Sequence, residues 1–354
     1  MGQSMSVQAS AATSGTDVSG HRQVAAWLFA CCALVFAMVV VGGITRLTHS
    51  GLSMVEWQPI VGTIPPLDAA QWQEVFEKYQ QTPEYRKVNR GMSLAQFKSI
   101  FWWEYFHRLL GRAIGVVFFV PFLYFIVRGR LDRRLAPGLI GILLLGALQG
   151  ALGWYMVASG LVDDPRVSQY RLTAHLGMAF LIFAAMFSTA LGLVAAARSP
   201  ADSARRRLRR YALSLSALIF LMVLSGGMVA GIRAGLSYNT FPLMNGHMLP
   251  PEYLMLQPWW SNLFNNMAAV QFNHRLIAWL LFILIPLFWL ASRKVQLTPR
   301  ARLACDMLPP ALALQITLGI STLLLVVPVS LAAAHQAGAM LLFSTALWAS
   351  HELR

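Results

Sequence analysis

The sequence predicts an all-α integral membrane protein, with eight transmembrane helices arranged as two tandem, pseudo-symmetric four-helix bundles. Three observations lead there. Of 354 residues, 57% are hydrophobic and only 12% are charged, whereas a soluble domain carries roughly 25% charged residues. The apolar residues are gathered into eight long runs, each close to the ~20 residues that cross ~30 Å of hydrocarbon. The second half of the chain also repeats the landmarks of the first.

The runs lie near 24–44, 106–127, 138–158, 171–196, 211–230, 269–290, 309–327 and 330–349, the last two separated by Pro328. No alternating apolar–polar pattern of the barrel type is present. Helices satisfy their own backbone groups in lipid, so each run is read as a helix. Residues 1–23 are expected to form a disordered cytoplasmic tail. They are rich in Ser, Ala and Gly, and residues 1–20 contain neither Arg nor Lys. That resembles neither a cleavable signal nor an Arg-rich transit peptide, and it favours a bacterial over a mitochondrial membrane.

The net charge of +14 does not point to nucleic acid, because of where it falls. Arg128, Arg130, Arg133 and Arg134 follow the second run. Arg198, Arg205, Arg206, Arg207, Arg209 and Arg210 follow the fourth, and Arg293, Lys294, Arg300 and Arg302 follow the sixth. These alternate loops share one side, which the positive-inside rule makes cytoplasmic, together with both termini. The long loops of about 45–105 and 231–268 then face the periplasm of a bacterial inner membrane. Residues 24–197 form one unit, 198–210 a basic cytoplasmic linker, and 211–354 a second unit.

Cys31, Cys32 and Cys305 lie within or at the edge of spans. No disulfide framework and no Cys-x-x-Cys motif is present, so a haem would be held without covalent attachment.

The repeat singles out residues. Gly42-Gly43 matches Gly226-Gly227, Gly51-Leu52-Ser53 matches Gly235-Leu236-Ser237, Gly62 matches Gly246 and Pro66 matches Pro250, all 184 positions apart (235 − 51 = 184). His107-Arg108-Leu109 matches His274-Arg275-Leu276. Gln149 and Gly153 match Gln315 and Gly319, and His175 matches His335. Two units of four spans share one orientation, related by an axis along the membrane normal.

Of eight histidines, His21 and His351 are expected to be solvated, and His49 and His247 are unrepeated loop residues. His107, His175, His274 and His335 each stand near the outer end of an even-numbered span. Polar groups in membrane helices are costly and mark function. Neutral imidazole binds iron through one nitrogen, and facing helices supply two axial ligands. Two haems would lie side by side at the outer level. That suits exchange between two sites better than conduction across the bilayer. Arg108 and Arg275 either pair with haem propionates or snorkel to headgroups.

The chain resembles the heme A synthase family over residues 24–350. The resemblance rests on Gly42-Gly43-Ile44-Thr45-Arg46-Leu47-Thr48, on Gly51-Leu52-Ser53-Met54-Val55-Glu56-Trp57-Gln58-Pro59, and on Glu104-Tyr105-Phe106-His107-Arg108. Thr173-Ala174-His175, Phe272-Asn273-His274-Arg275 and Ala334-His335-Gln336 complete it. It is similar to the cysteine-free branch of proteobacteria and mitochondria. The resemblance implies oxidation of a ring methyl of haem O to a formyl group, through an alcohol, giving haem A for terminal oxidases. It implies a haem b cofactor on His274 and His335, near Arg275, and substrate haem O on His107 and His175, near Arg108. It also implies a catalytic Glu56, whose repeat position is Thr240. The expected partners are haem O, haem O synthase, an electron acceptor and membrane lipid, and no nucleic acid. The alternatives are a dihaem cytochrome b exchanging electrons with quinone, which would make no haem A, and a transporter. Transport sites lie near the midplane, whereas the paired polar residues here lie at the outer face.

Overall fold

The structure, a computed structural model, describes residues 3–56, 63–160, 167–195 and 202–354, with side chains from residue 20 onward. Of the motif residues, Trp57, Gln58, Pro59 and Gly62 lie outside the described residues, as does Arg198.

Among the described residues, eight helical stretches are long and apolar enough to cross a membrane. They belong to α1 (Gln3–Leu47, the span taking Gly20–Leu47), α4 (Leu94–Val127), α5 (Ala136–Gly160), α6 (Gln169–Val194), α7 (Ser203–Gly231), α9 (Met267–Arg293), the successive α10 (Pro299–Asp306) and α11 (Leu308–Leu324), and α12 (Val329–Glu352). The short α2 (Ala69–Gln80), α3 (Pro83–Lys87) and α8 (Asn262–Asn265) lie in the two long loops. No β-strand occurs among the described residues, where Met244 and His247 form an isolated bridge.

Several boundaries differ from the hydropathy reading, for local reasons. α4 begins at Leu94, a dozen residues early, because Ser93 and Gln96 form a reciprocal capping box. Its first turns also belong to a separate aromatic core. Tyr79 of α2 stacks on Phe97 with ring centroids 5.0 Å apart, and Trp72 meets Phe101 edge-on at 4.9 Å. The first long loop thus packs a small core of its own from Trp72, Phe76, Tyr79, Phe97, Phe101 and Tyr105, while most of its charges stay outside and Glu84 and Glu104 are buried. α7 begins within the basic stretch, at Ser203, where the Asp202 carboxylate accepts from Arg205 N at 2.7 Å. His351, expected to be solvated, is buried. α12 runs on to Glu352, against α10, and Arg300 pairs with Glu352 at 3.4 Å.

In the first half, α1 packs on α4 and α6, and α5 touches both α4 and α6. In the second half, α7 packs on α9 and α12, and α11 touches both α9 and α12. The halves meet through α1 against α12, α6 against α7, and α6 against α12. Small residues let backbones approach at that seam. A Cβ on Gly227 would lie 2.8 Å from Thr173 Oγ1, and one on Gly43 would overlap the Gln336 amide, which donates to Val39 O at 3.0 Å. At the long-loop end of the seam, Arg233 Nη2 meets His49 Nδ1 at 3.3 Å, a contact between repeat counterparts (233 − 49 = 184). Nearby Glu84 is buried, and desolvation pushes its carboxyl up to about 7, with Arg233 and Arg46 pulling the other way.

Candidate functional site

Four helices carry the repeated histidines, and each imidazole rests on a repeated glycine of a neighbouring helix. His107 of α4 lies against Gly42 of α1, where a Cβ would come within 3.2 Å of Nε2. His274 of α9 lies against Gly226 of α7, and a Cβ there would be 3.3 Å from Cε1. His175 of α6 lies against Gly153 of α5 at 3.0 Å, and His335 of α12 against Gly319 of α11 at 2.8 Å, by the same measure. Any larger residue at Gly319 would drive the His335 ring aside, since close-packed interiors leave no slack for a methyl. His107 and His175 stand within electrostatic reach of each other, and so do His274 and His335. The structure thus brings the four histidines together as two pairs, one in each half.

The ring surroundings repeat as well. Gln149 Nε2 lies 3.5 Å from His175 Nε2 and donates to the His175 carbonyl at 3.1 Å. Its repeat counterpart Gln315 lies against Gly338, one turn beyond His335. His274 Nδ1 is 3.2 Å from Ser225 Oγ, which fixes one nitrogen and leaves Nε2 for another partner. His175 Nδ1, His335 Nδ1, Gln149 Oε1 and Gln315 Oε1 are buried with no hydrogen-bond partner among the described residues. Buried polar groups are ordinarily satisfied. Paired imidazoles on glycine surfaces, with spare nitrogens, are a donor set that a haem iron can take. The residues present fit that group.

Both arginines clamp the long loops. Arg108 donates to Met54 O at 2.9 Å and to Glu56 O at 3.3 Å. Arg275 donates to Tyr238 O at 2.8 Å, and Met54 and Tyr238 are repeat counterparts (238 − 54 = 184). So His107 and His274 are each followed by an arginine that ties down the long loop of its half.

Glu56, the expected acid, meets Arg108 through its backbone carbonyl at 3.3 Å. The Glu56 side chain is exposed, with its carboxylate on Lys78 Nζ at 2.7 Å. The buried carboxylate is Glu104, 2% exposed and one turn before His107 on the same helix. It accepts from Ser53 N at 2.7 Å, Ser53 Oγ at 2.7 Å and Met54 N at 2.8 Å, and pairs with Arg108 at 2.6 Å. The corresponding position in the second half, three residues before His274, is Gln271. It donates to Ala234 O at 2.9 Å and accepts from Arg275 at 3.1 Å. The two halves are alike in their histidines, arginines and glycines and differ here, carboxylate against amide. Comparing positions 104 and 271 would have exposed this from the sequence.

Fold and site together define a polytopic membrane protein with two histidine pairs suited to haem. The cytochrome oxidase assembly protein family model matches residues 25–347. The chain is 68% identical over 335 residues to a heme A synthase from Nitrosospira multiformis, covering 94% of each. It is 57% identical to one from Nitrosomonas eutropha, covering 97% of each, and 52% identical to one from Paramagnetospirillum magneticum, covering 94% of each. The chain belongs to the heme A synthase family.

Proposed function

We propose that this chain oxidises a ring methyl of haem O to a formyl group, through an alcohol, and so makes haem A for terminal oxidases. The carrying observation is the pair of matched histidine sites, differing at one buried position. Family membership supplies the reaction class. Residues 24–197 and 211–354 are proposed as two pseudo-symmetric bundles, joined by the basic cytoplasmic stretch 198–210 and preceded by a tail over 1–23.

In the second half, His274 and His335 would hold haem b. A bound haem supplies redox chemistry, while the protein supplies position and electrostatics. Gly226 and Gly319 let those rings approach the neighbouring helices, Ser225 orients His274, and Arg275 closes the loop above it. In the first half, His107 and His175 would seat the substrate haem O, and Arg108 closes the first outer loop over them. Glu104 is the carboxylate beside that site. A carboxylate there can take a proton or stabilise positive charge developing at the oxidised carbon. Glu56 contributes its backbone carbonyl to the Arg108 clamp. Haem O synthase is a fitting supplier of substrate, and an external acceptor takes the electrons.

Co-expression with a source of haem O, followed by extraction of the pigments, tests the reaction. Haem A and its alcohol precursor are the expected products. Recovery of haems B and O alone would mean a dihaem cytochrome instead. The arginine-rich loops support cytoplasmic termini and a periplasmic first loop in a bacterial inner membrane. An alkaline phosphatase fused after Asp68 is therefore expected to be active. Activity there only of a reporter that works in the cytoplasm would invert the topology.

A further inference from the structure

The two outer loops are opposite in character. The first packs an aromatic core inside and keeps most of its charges outside, Glu84 and Glu104 excepted. The second carries little charge and turns apolar side chains out. From Met248 to Ala268 its one charged residue is Glu252, whose carboxylate accepts from Tyr238 Oη at 2.6 Å. Facing outward instead are Met248 (81% exposed), Met255 (67%), Trp259 (64%), Trp260 (52%), Leu254 and Phe264.

This display is held in place. Asn262, fully buried, accepts from Leu256 N at 2.9 Å and donates to Leu256 O at 2.9 Å and Trp259 O at 2.8 Å. Asn266 donates to Asn262 at 2.8 Å and to the Glu252 carbonyl at 2.6 Å, and caps α9. Two buried amides therefore fix the loop with its apolar side chains turned out. In water an apolar patch of this kind is an association liability.

Its depth follows from its attachments. Asn265 accepts from Gln169 at 2.7 Å and from Tyr170 at 3.3 Å, both at the outer start of α6. Asn266 leads directly into α9. The loop thus sits level with the outer ends of two spans. Its apolar surface also continues onto theirs. Phe264 meets Tyr170 at 6.0 Å between ring centroids, and Phe241 stacks on Trp279 at 5.9 Å, where Trp279 and Phe282 face outward from α9. Trp and Tyr are the residues that settle at the membrane–water boundary.

We infer that residues 248–264 lie on the outer leaflet as an interfacial anchor, with Met255, Trp259 and Trp260 seated among the lipid headgroups and upper acyl chains. The occupant of this surface is lipid, because the patch extends the lipid-facing wall of α9, carries almost no charge and ends where two spans begin. The loop over the second-half site then lies in lipid, while the loop over the first-half site faces water.

Spin-label accessibility in the full-length, haem-loaded protein tests this. Met255→Cys and Trp259→Cys carry a nitroxide in phosphatidylcholine–phosphatidylglycerol vesicles, and Glu74→Cys in the first loop is the water-facing reference. The unlabelled background is the parent chain, whose cysteines are all buried. At 255 and 259, collisions with apolar oxygen are expected to exceed collisions with a water-soluble nickel chelate several-fold, and the order should reverse at 74. Nickel-dominated collisions at 255 and 259 would put the loop in water and overturn the inference. Shielding from both reagents, with an immobilised spectrum, would overturn it in favour of a protein occupant.

Discussion

Glu104→Gln is expected to lower haem A formation by about 10²-fold or more, the usual weight of a positioned acid or base, while haem b in the second half stays at its normal level. The second half supplies a precedent for this substitution. Gln271 already occupies the corresponding position before His274, holding Ala234 O and Arg275 with its amide. The variant therefore gives the first half the side chain with which the second half folds. Glu56→Gln should do far less, because its carboxylate meets Lys78 at the surface and its contact with Arg108 runs through the backbone. Pigment extraction at matched expression reads both. If Glu104→Gln left haem A yield near normal and Glu56→Gln abolished it, the acid would belong to Glu56 and Glu104 would only hold the loop.

The second large effect is expected from the histidines, and it should be asymmetric. His274→Ala or His335→Ala should remove the low-spin haem b spectrum, since each deletes one of two axial nitrogens and leaves a glycine-lined gap behind it. His107→Ala or His175→Ala should keep that spectrum and still abolish conversion of haem O. Absorbance of the reduced, purified variants, with extracted pigments, separates the cases. A full haem b complement in both His274→Ala and His335→Ala would move the cofactor out of the second half.

Much of this was legible in the residues. The eight spans follow from hydropathy because lipid leaves a backbone few other choices. The four histidines stood out because repetition separates them from His49 and His247. Where α4 begins was not legible, since Phe97 and Phe101 owe their helical turn to Trp72 and Tyr79 of the preceding loop. Nor was the link between Gly153 and His175, or between Gly319 and His335. Hydropathy places each residue on a span, but which glycine backs which ring depends on how the spans pack. Glu104 was overlooked for a related reason. It stands at the end of a loop that holds several other acids, and only its spacing from His107, set against Gln271, gives it away.

The pairing of α1 with α12 bears on how the protein is made. Synthesis delivers the helices in order, the amino-terminal ones first. α1 is the first span to enter the bilayer and α12 the last, yet the Gly43 surface of α1 is closed by Gln336 of α12. Until the ribosome has released Val329–Glu352, that small-residue groove faces lipid or whatever helix is near. The early spans thus wait for the final one. A chain cut short before Val329 would leave in the bilayer a small-residue surface of the type that other membrane helices pack against.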